Sequence, residues 1–219
     1  MLFFRSRVIE PELLEDAGPE DARRNLADII RLNQHFGGHR LILRMLSRVA
    51  QPSDEFTLLD VGAASGDSGR VIQAAYPRAK VISLDLQEQN LAAAGAPKVL
   101  GDAFHLPLAD GGVDFVFNSL FLHHFTDEQA TALLREQYRV ARRALLASDL
   151  ERHVLSYWFL PATQAFFRWH WITVHDGPVS VRAAFRAREL EAVARGAGIP
   201  AAEVSVHRPA FRLSLIARK

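Results

Sequence analysis

The chain contains no cysteine, which excludes a disulfide framework, a cysteine-ligated metal site and thiol chemistry together. It also lacks an excess of either charge: 26 Lys plus Arg stand against 25 Asp plus Glu, and the basic residues are scattered. The positive footprint of a nucleic-acid binder is missing. No nucleic acid is therefore expected as a partner, and a small molecule is. Long apolar runs are absent as well, since the best candidate, 154–174, is broken by Pro161, Gln164, Arg168 and His170. No integral membrane span is expected. The start, MLFFRSRVIEPE, reaches Arg5 only three apolar residues after the initial Met1, too few for a signal-peptide core. Together with the missing cysteines this gives a cytoplasmic expectation.

What is present is 219 residues at 49% hydrophobic composition with no internal repeat, enough for one substantial core. Helical spacing with charges between apolar positions predicts helices over 19–36 and 41–49, separated by Gly37 and Gly38. From Phe56 onward short apolar runs alternate with helical stretches. Strands are predicted over 57–61, 80–84, 99–100, 113–118 and 144–148, with helices over 68–76, 87–94 and 127–142. Continuous apolar strands between helices mean a parallel sheet covered on both faces. The fold class expected is α/β, a doubly wound, Rossmann-like, mostly parallel seven-stranded sheet whose ligands sit at the carboxyl ends of the strands. An aromatic-rich insertion follows Ser148, helical spacing resumes over 187–194, and two strands meeting near Arg208 and Pro209 form an antiparallel C-terminal hairpin.

The stretch LLDVGAASGDSG, 58–69, is a strand feeding a small-residue loop and then a helix. That arrangement lets backbone amides approach a polar ligand. The dinucleotide spacing GxGxxG is not met, and no lysine follows Gly66 as a phosphate cradle would need. Asp60 before the first glycine repels a pyrophosphate and attracts an ammonium or sulfonium ion.

On these residues the chain resembles the class I S-adenosylmethionine-dependent methyltransferases, and among them the small-molecule, ubiquinone/menaquinone-biosynthesis-like type. The family's acidic residue followed by GxGxG reads here as Asp60, Val61, Gly62, Ala63, Ala64, Ser65, Gly66, with Ala64 replacing the middle glycine. The resemblance implies S-adenosylmethionine as cofactor. It implies that Asp85, with Leu86 beside it, accepts the ribose hydroxyls, that Asp102 and Ala103 meet the adenine, and that Asn118 lies beside the methionine portion. It further implies that a helical segment, 1–52, folds over the cofactor, bringing Asn33, His39 or Arg40 to the cofactor carboxylate or the acceptor. The single unit 1–219 then divides into that lid, a cofactor-binding half (53–150), an acceptor cap (151–186) and a C-terminal helix and hairpin (187–219).

Methyl transfer needs a base only when the nucleophile is protonated. His123 and His124, at the end of the fourth strand, are the candidates, and packing at the strand end is their bland alternative. A metal is not expected, because adjacent histidines in an extended segment point apart and no carboxylate cluster accompanies them. VHDGPVSVR reads as a polar turn from which His175 or Arg182 reaches the site mouth. The aromatic series roofs an apolar acceptor or is ordinary core.

The expected function is therefore transfer of a methyl group, most simply to oxygen, on a hydroxylated aromatic, quinone or lipid-like acceptor, by a monomer or homodimer. A nicotinamide-dependent oxidoreductase on the same fold and an inactive cofactor-binding scaffold are the alternatives.

Overall fold

A computed structural model describes residues 5–95 and 97–219; the apolar start, on which the signal-peptide argument rests, lies partly outside them. The central sheet has seven strands: β1 (Phe56–Val61), β2 (Ala79–Asp85), β3 (Lys98–Leu100), β4 (Val113–Ser119), β5 (Ala141–Leu150), β6 (Glu203–His207) and β7 (Arg212–Arg218). Their spatial order is β3-β2-β1-β4-β5-β7-β6. The first five run parallel, while β7 is antiparallel to β5 and to β6. The doubly wound sheet with its antiparallel hairpin is thus observed.

The period of two sorts the strand side chains into two cores. Phe56, Leu58, Phe115, Phe117, Leu146 and Ile216 face α2 (Gly38–Leu46) and α3 (Asp67–Ala75). Leu59, Val61, Val116, Leu145, Leu213 and Leu215 face α5 (Asp127–Val140) and α8 (Ala187–Gly196). α5 begins where the Thr126 hydroxyl accepts from the Gln129 amide while the Gln129 side chain returns to the Thr126 amide, a reciprocal cap. It ends at Val140, and β5 starts at once at Ala141, so the helix expected over 127–142 is two residues shorter. The turn α4 is likewise only Glu88–Leu91.

Above the carboxyl ends of the strands lie α1 (Pro19–His35), α6 (Val154–Phe167) and α7 (Trp171–Ala183). Buried Asp28 of α1 ties them together, accepting from the His170 amide at 2.6 Å and the Thr173 hydroxyl at 3.1 Å. Phe36, at the break after α1, meets Phe159 and Phe167 edge-on at 4.9 and 5.5 Å. Part of the aromatic segment is therefore roof core, whereas Trp158 and Phe166 face outward.

One sequence expectation fails outright here. VHDGP is not a turn but the interior of α7, Pro178 included. Gly177 serves helix packing, since a Cβ there would stand 2.1 Å from Leu160 Cδ1 of α6. Asp176 does not close a turn either; it accepts from the amides of Leu13 and Leu14, starting a 3-10 turn in the N-terminal segment.

Large, fully buried rings carry the sheet's stability. Phe117→Ala is expected to lower unfolding free energy by about 3–5 kcal/mol in urea titrations, while Phe166→Ser, 83% exposed, stays within about 0.5 kcal/mol of wild type.

Candidate active site

A cavity of about 1000 Å³ opens along the carboxyl ends of the strands beneath α1, α6 and α7. Parallel strands all end on this edge, so loops line it together with strand-terminal side chains such as Asp85, Leu150 and Arg212.

At one pole is the loop after β1. Gly62 and Gly66 have φ of 68° and 70°; a Cβ on Gly62 would stand 2.5 Å from the Phe121 ring, and one on Gly66 2.7 Å from the backbone of Ala94. Glycine is thus required at both positions by sterics and by backbone conformation. Ala64 also has a positive φ, 44°, which a Cβ disfavours. Four of the loop amides are engaged within the chain: those of Gly62 and Ala63 donate to the Leu84 carbonyl, that of Gly66 to the Ala63 carbonyl, and that of Ala64 to Asp85 Oδ2.

Asp85 closes β2 on the cavity wall, its Oδ1 also accepting from the Gln87 amide and Asn90 Nδ2, both at 3.0 Å. A carboxylate offers about four acceptor sites, so three donors leave it able to take one more. Asp60 is buried, and its Oδ2 has no partner among the described residues. Burial, then the charges of Asp67 and Asp85, push its carboxyl up to about 7 against the opposing Gly69 amide. The pole suits a ligand that brings its own donors and a positive charge.

At the other pole His123 and His124 lie in a 3-10 turn, Leu122–His124, after β4. The two rings therefore stand side by side, centroids 4.2 Å apart, not on opposite sides as an extended segment would place them. His123 is buried, and its Nδ1 donates to Asp149 Oδ1 at 2.6 Å; Asp149, buried near the end of β5, also accepts from the His123 and Leu150 amides. Burial opposes charge on both, but each outweighs it for the other: Asp149, with Glu12, raises His123, and His123 with the amides lowers Asp149. The bond leaves His123 Nε2 toward the cavity, 3.9 Å from Glu12 Oε1. Burial and the neighbouring His123 press His124 down to about 3, so it stays neutral.

Glu12 and Asp149 were missed in the sequence reading, because nothing in VIEPE or ASDLE marks them. Arg7 delivers Glu12: its guanidinium donates to the carbonyls of His123, Phe125 and Ala183 and lies 3.6 Å from the Phe185 ring centre. Ser180 then donates to Glu12. Glu12, His123 and His124 offer three ligand atoms within 4.8 Å of one another, so a carboxylate does accompany the two histidines, which the sequence reading did not expect.

Other expected site residues lie elsewhere. Asn118 turns away, its Nδ2 donating to Gln137 of α5 in the opposite core; Ser119 and Leu120 take its place on the wall. Leu86 is exposed, and Asp102 bonds to the Phe104 amide and His105; neither these nor Ala103 line the cavity. His175 is exposed on the far side of α7 and pairs with Asp176. Arg182 pairs with Glu10. Neither reaches the mouth. Arg40 does line the cavity, His39 binds Asp67 at 2.6 Å, and Asn33 accepts from Arg212 at 2.9 Å.

Comparison with known proteins agrees with this geometry. A family model described as a methyltransferase domain matches residues 59–144. The malonyl-[acyl-carrier protein] O-methyltransferase of Methylococcus capsulatus is 33% identical over 150 residues, 64% of this chain and 50% of that protein. The corresponding enzyme 1 of Coxiella burnetii is 34% identical over 85 residues, 39% and 29% of the two chains. The chain thus spans half or less of these relatives' length. Among solved structures, the plantazolicin methyltransferase BpumL in complex with SAH matches with TM-score 0.67 at 12% identity, covering 91% of this chain and 89% of that one. A SAM-dependent methyltransferase from Aquifex aeolicus gives 0.57 at 18%, covering 81% and 88%.

Two measurements check the site as built. Ala64→Gly relieves a left-handed alanine and is expected to leave stability unchanged or raise it by up to about 1 kcal/mol, against the usual loss for such a change. For the buried pair, His123 contributes fully below the ordinary imidazole value of 6.5 and fades as pH rises through its raised value; Asp149 contributes above 3.8 and fades as pH falls through its lowered one. Asp149→Asn is thus expected to cost about 3–5 kcal/mol near pH 6, and distinctly less near pH 9, in chemical unfolding.

Proposed function

We propose, on the premise that this chain belongs to the class I S-adenosylmethionine-dependent methyltransferases, that it methylates an oxygen of a small, largely apolar acceptor with His123 as general base. The observation that carries this reading is His123, held by Asp149 at 2.6 Å on the wall of the cavity whose other pole is the glycine loop.

The residues fit the cofactor. Asp85 retains acceptor capacity for a ribose hydroxyl, Asp60 keeps an unpartnered buried oxygen near where positive charge arrives, and Arg40 stands beside the loop for the cofactor carboxylate. S-adenosylmethionine held by these residues would supply a methyl carbon activated by positive sulfur, with a neutral thioether as leaving group. Asp149 fixes the Nδ1–H tautomer of His123, so that Nε2 can take the acceptor's hydroxyl proton. Phe36, Phe159 and Leu160 line the acceptor side and keep water from competing. A hydroxylated aromatic, quinol or lipid-like alcohol suits such walls. The malonyl-[acyl-carrier protein] O-methyltransferases among the relatives support an oxygen acceptor. A nicotinamide dinucleotide is disfavoured because the loop lacks the GxGxxG spacing and buried Asp60, with an unpartnered oxygen, stands where a pyrophosphate would approach.

Calorimetric titration with S-adenosylhomocysteine is expected to give binding that Asp85→Ala weakens by about 1–3 kcal/mol, and none with NADH; preference for NADH would sink the proposal. With an acceptor taken from a panel of phenols, quinols and long-chain alcohols, kcat should rise with pH through a value above 6.5. His123→Ala should lower kcat by about 10²–10⁴ without changing S-adenosylhomocysteine affinity, and Asp149→Asn should move the pH midpoint down.

A further inference from the structure

Arg212 opens β7, paired with Leu150 of β5, and lines the cavity. It is only 6% exposed. Its Nη2 donates to Asn33 Oδ1 at 2.9 Å, while Nη1 is buried with no partner among the described residues. Among the described residues no carboxylate lies within ion-pair distance of it. Asp149 is engaged by His123 and Leu150, and the nearby Glu151 is taken by Arg208 at 2.6 Å. Burial accordingly depresses Arg212 to about 10, with only the distant charge of Asp149 opposing.

A buried, unpaired guanidinium is among the more expensive groups a fold can keep, so its counter-charge is expected from outside the chain. The strand order places it on the acceptor side. β7 lies three strand positions from β1 and four from β2, roughly 14 and 19 Å at about 4.8 Å per strand, away from the loop and Asp85. Its cavity neighbours Leu150, Phe36 and Phe211 are apolar, which strengthens any ion pair formed there. One planar guanidinium matches one carboxylate in charge and in fork geometry, whereas a phosphate dianion would leave negative charge uncompensated.

We infer that Arg212 is a carboxylate receptor and that the acceptor carries an acid group separate from the hydroxyl that is methylated. This rests on the methyltransferase reading for the place of the cofactor. The acid is a spectator: the new O–CH₃ bond forms at the hydroxyl oxygen, the proton goes to His123, and the carboxylate stays ionised against Arg212, fixing how deep the acceptor sits. The acceptor class is thus a hydroxy acid with an apolar, preferably aromatic, body.

The test compares 4-hydroxyphenylacetate with 4-hydroxyphenylacetamide by calorimetry on protein saturated with S-adenosylhomocysteine. The acid is expected to bind wild type about 10–100-fold more tightly, the range a charge-assisted hydrogen bond supplies. In Arg212→Met the preference should vanish, with S-adenosylhomocysteine affinity unchanged; Arg212→Lys should keep part of it. Should the methionine variant not fold, wild type and the lysine variant decide. Equal affinity of the two probes for wild type, including failure of both to bind, overturns the receptor. Failure of wild type to bind S-adenosylhomocysteine overturns the methyltransferase reading instead, and is read in a separate titration.

Discussion

Five parallel strands must end on one edge, and that constraint governs the rest of the molecule. Apolar residues fill the strand interiors, so polar groups accumulate where the strands stop. Asp60, Asp85 and Asp149 stand at or near the ends of β1, β2 and β5, each buried. A buried carboxylate must be bonded or neutralised. Asp85 is satisfied by amides of the loops on either side, Asp149 by His123 and its own turn, and Asp60 by a carboxyl pushed up to about 7. The loops take their shapes from these acids as much as the acids take their places from the loops.

The cavity inherits a polarity from this arrangement. Its β1–β2 end is acidic and ordered by glycines that tolerate no side chain. Its β5–β7 end holds a base aligned by a carboxylate and a guanidinium with one idle donor. Gly62 and Phe121, packed against one another, lie on the wall between the two ends.

The order of strands and helices over 56–150 was legible in the sequence because short continuous apolar runs between helically spaced stretches report strands buried on both faces. The loop glycines were legible too, as close approach leaves few alternatives to glycine. Less legible were VHDGP, where turn-forming residues lie inside a helix because Gly177 lets α7 pack against α6, and Asn118, whose position in a strand does not tell which core it faces. Asp102 and Leu86 follow strand ends as expected and yet turn outward, since loop direction depends on contacts made after the strand stops.

By itself, the sequence determined the sheet, the sharp turn at Gly62 and Gly66, and the acids that close β1 and β2, because local spacing and steric exclusion act over a few residues. Only the tertiary structure decided the chemistry of the other pole. Glu12, His123, Asp149 and Arg212 come from four separate regions of the chain, and only the strand order and the N-terminal strap held by Arg7 bring Glu12, His123 and Arg212 to one cavity with Asp149 behind His123. The charge state of each depends on burial and on partners more than twenty residues away, quantities that no local pattern encodes.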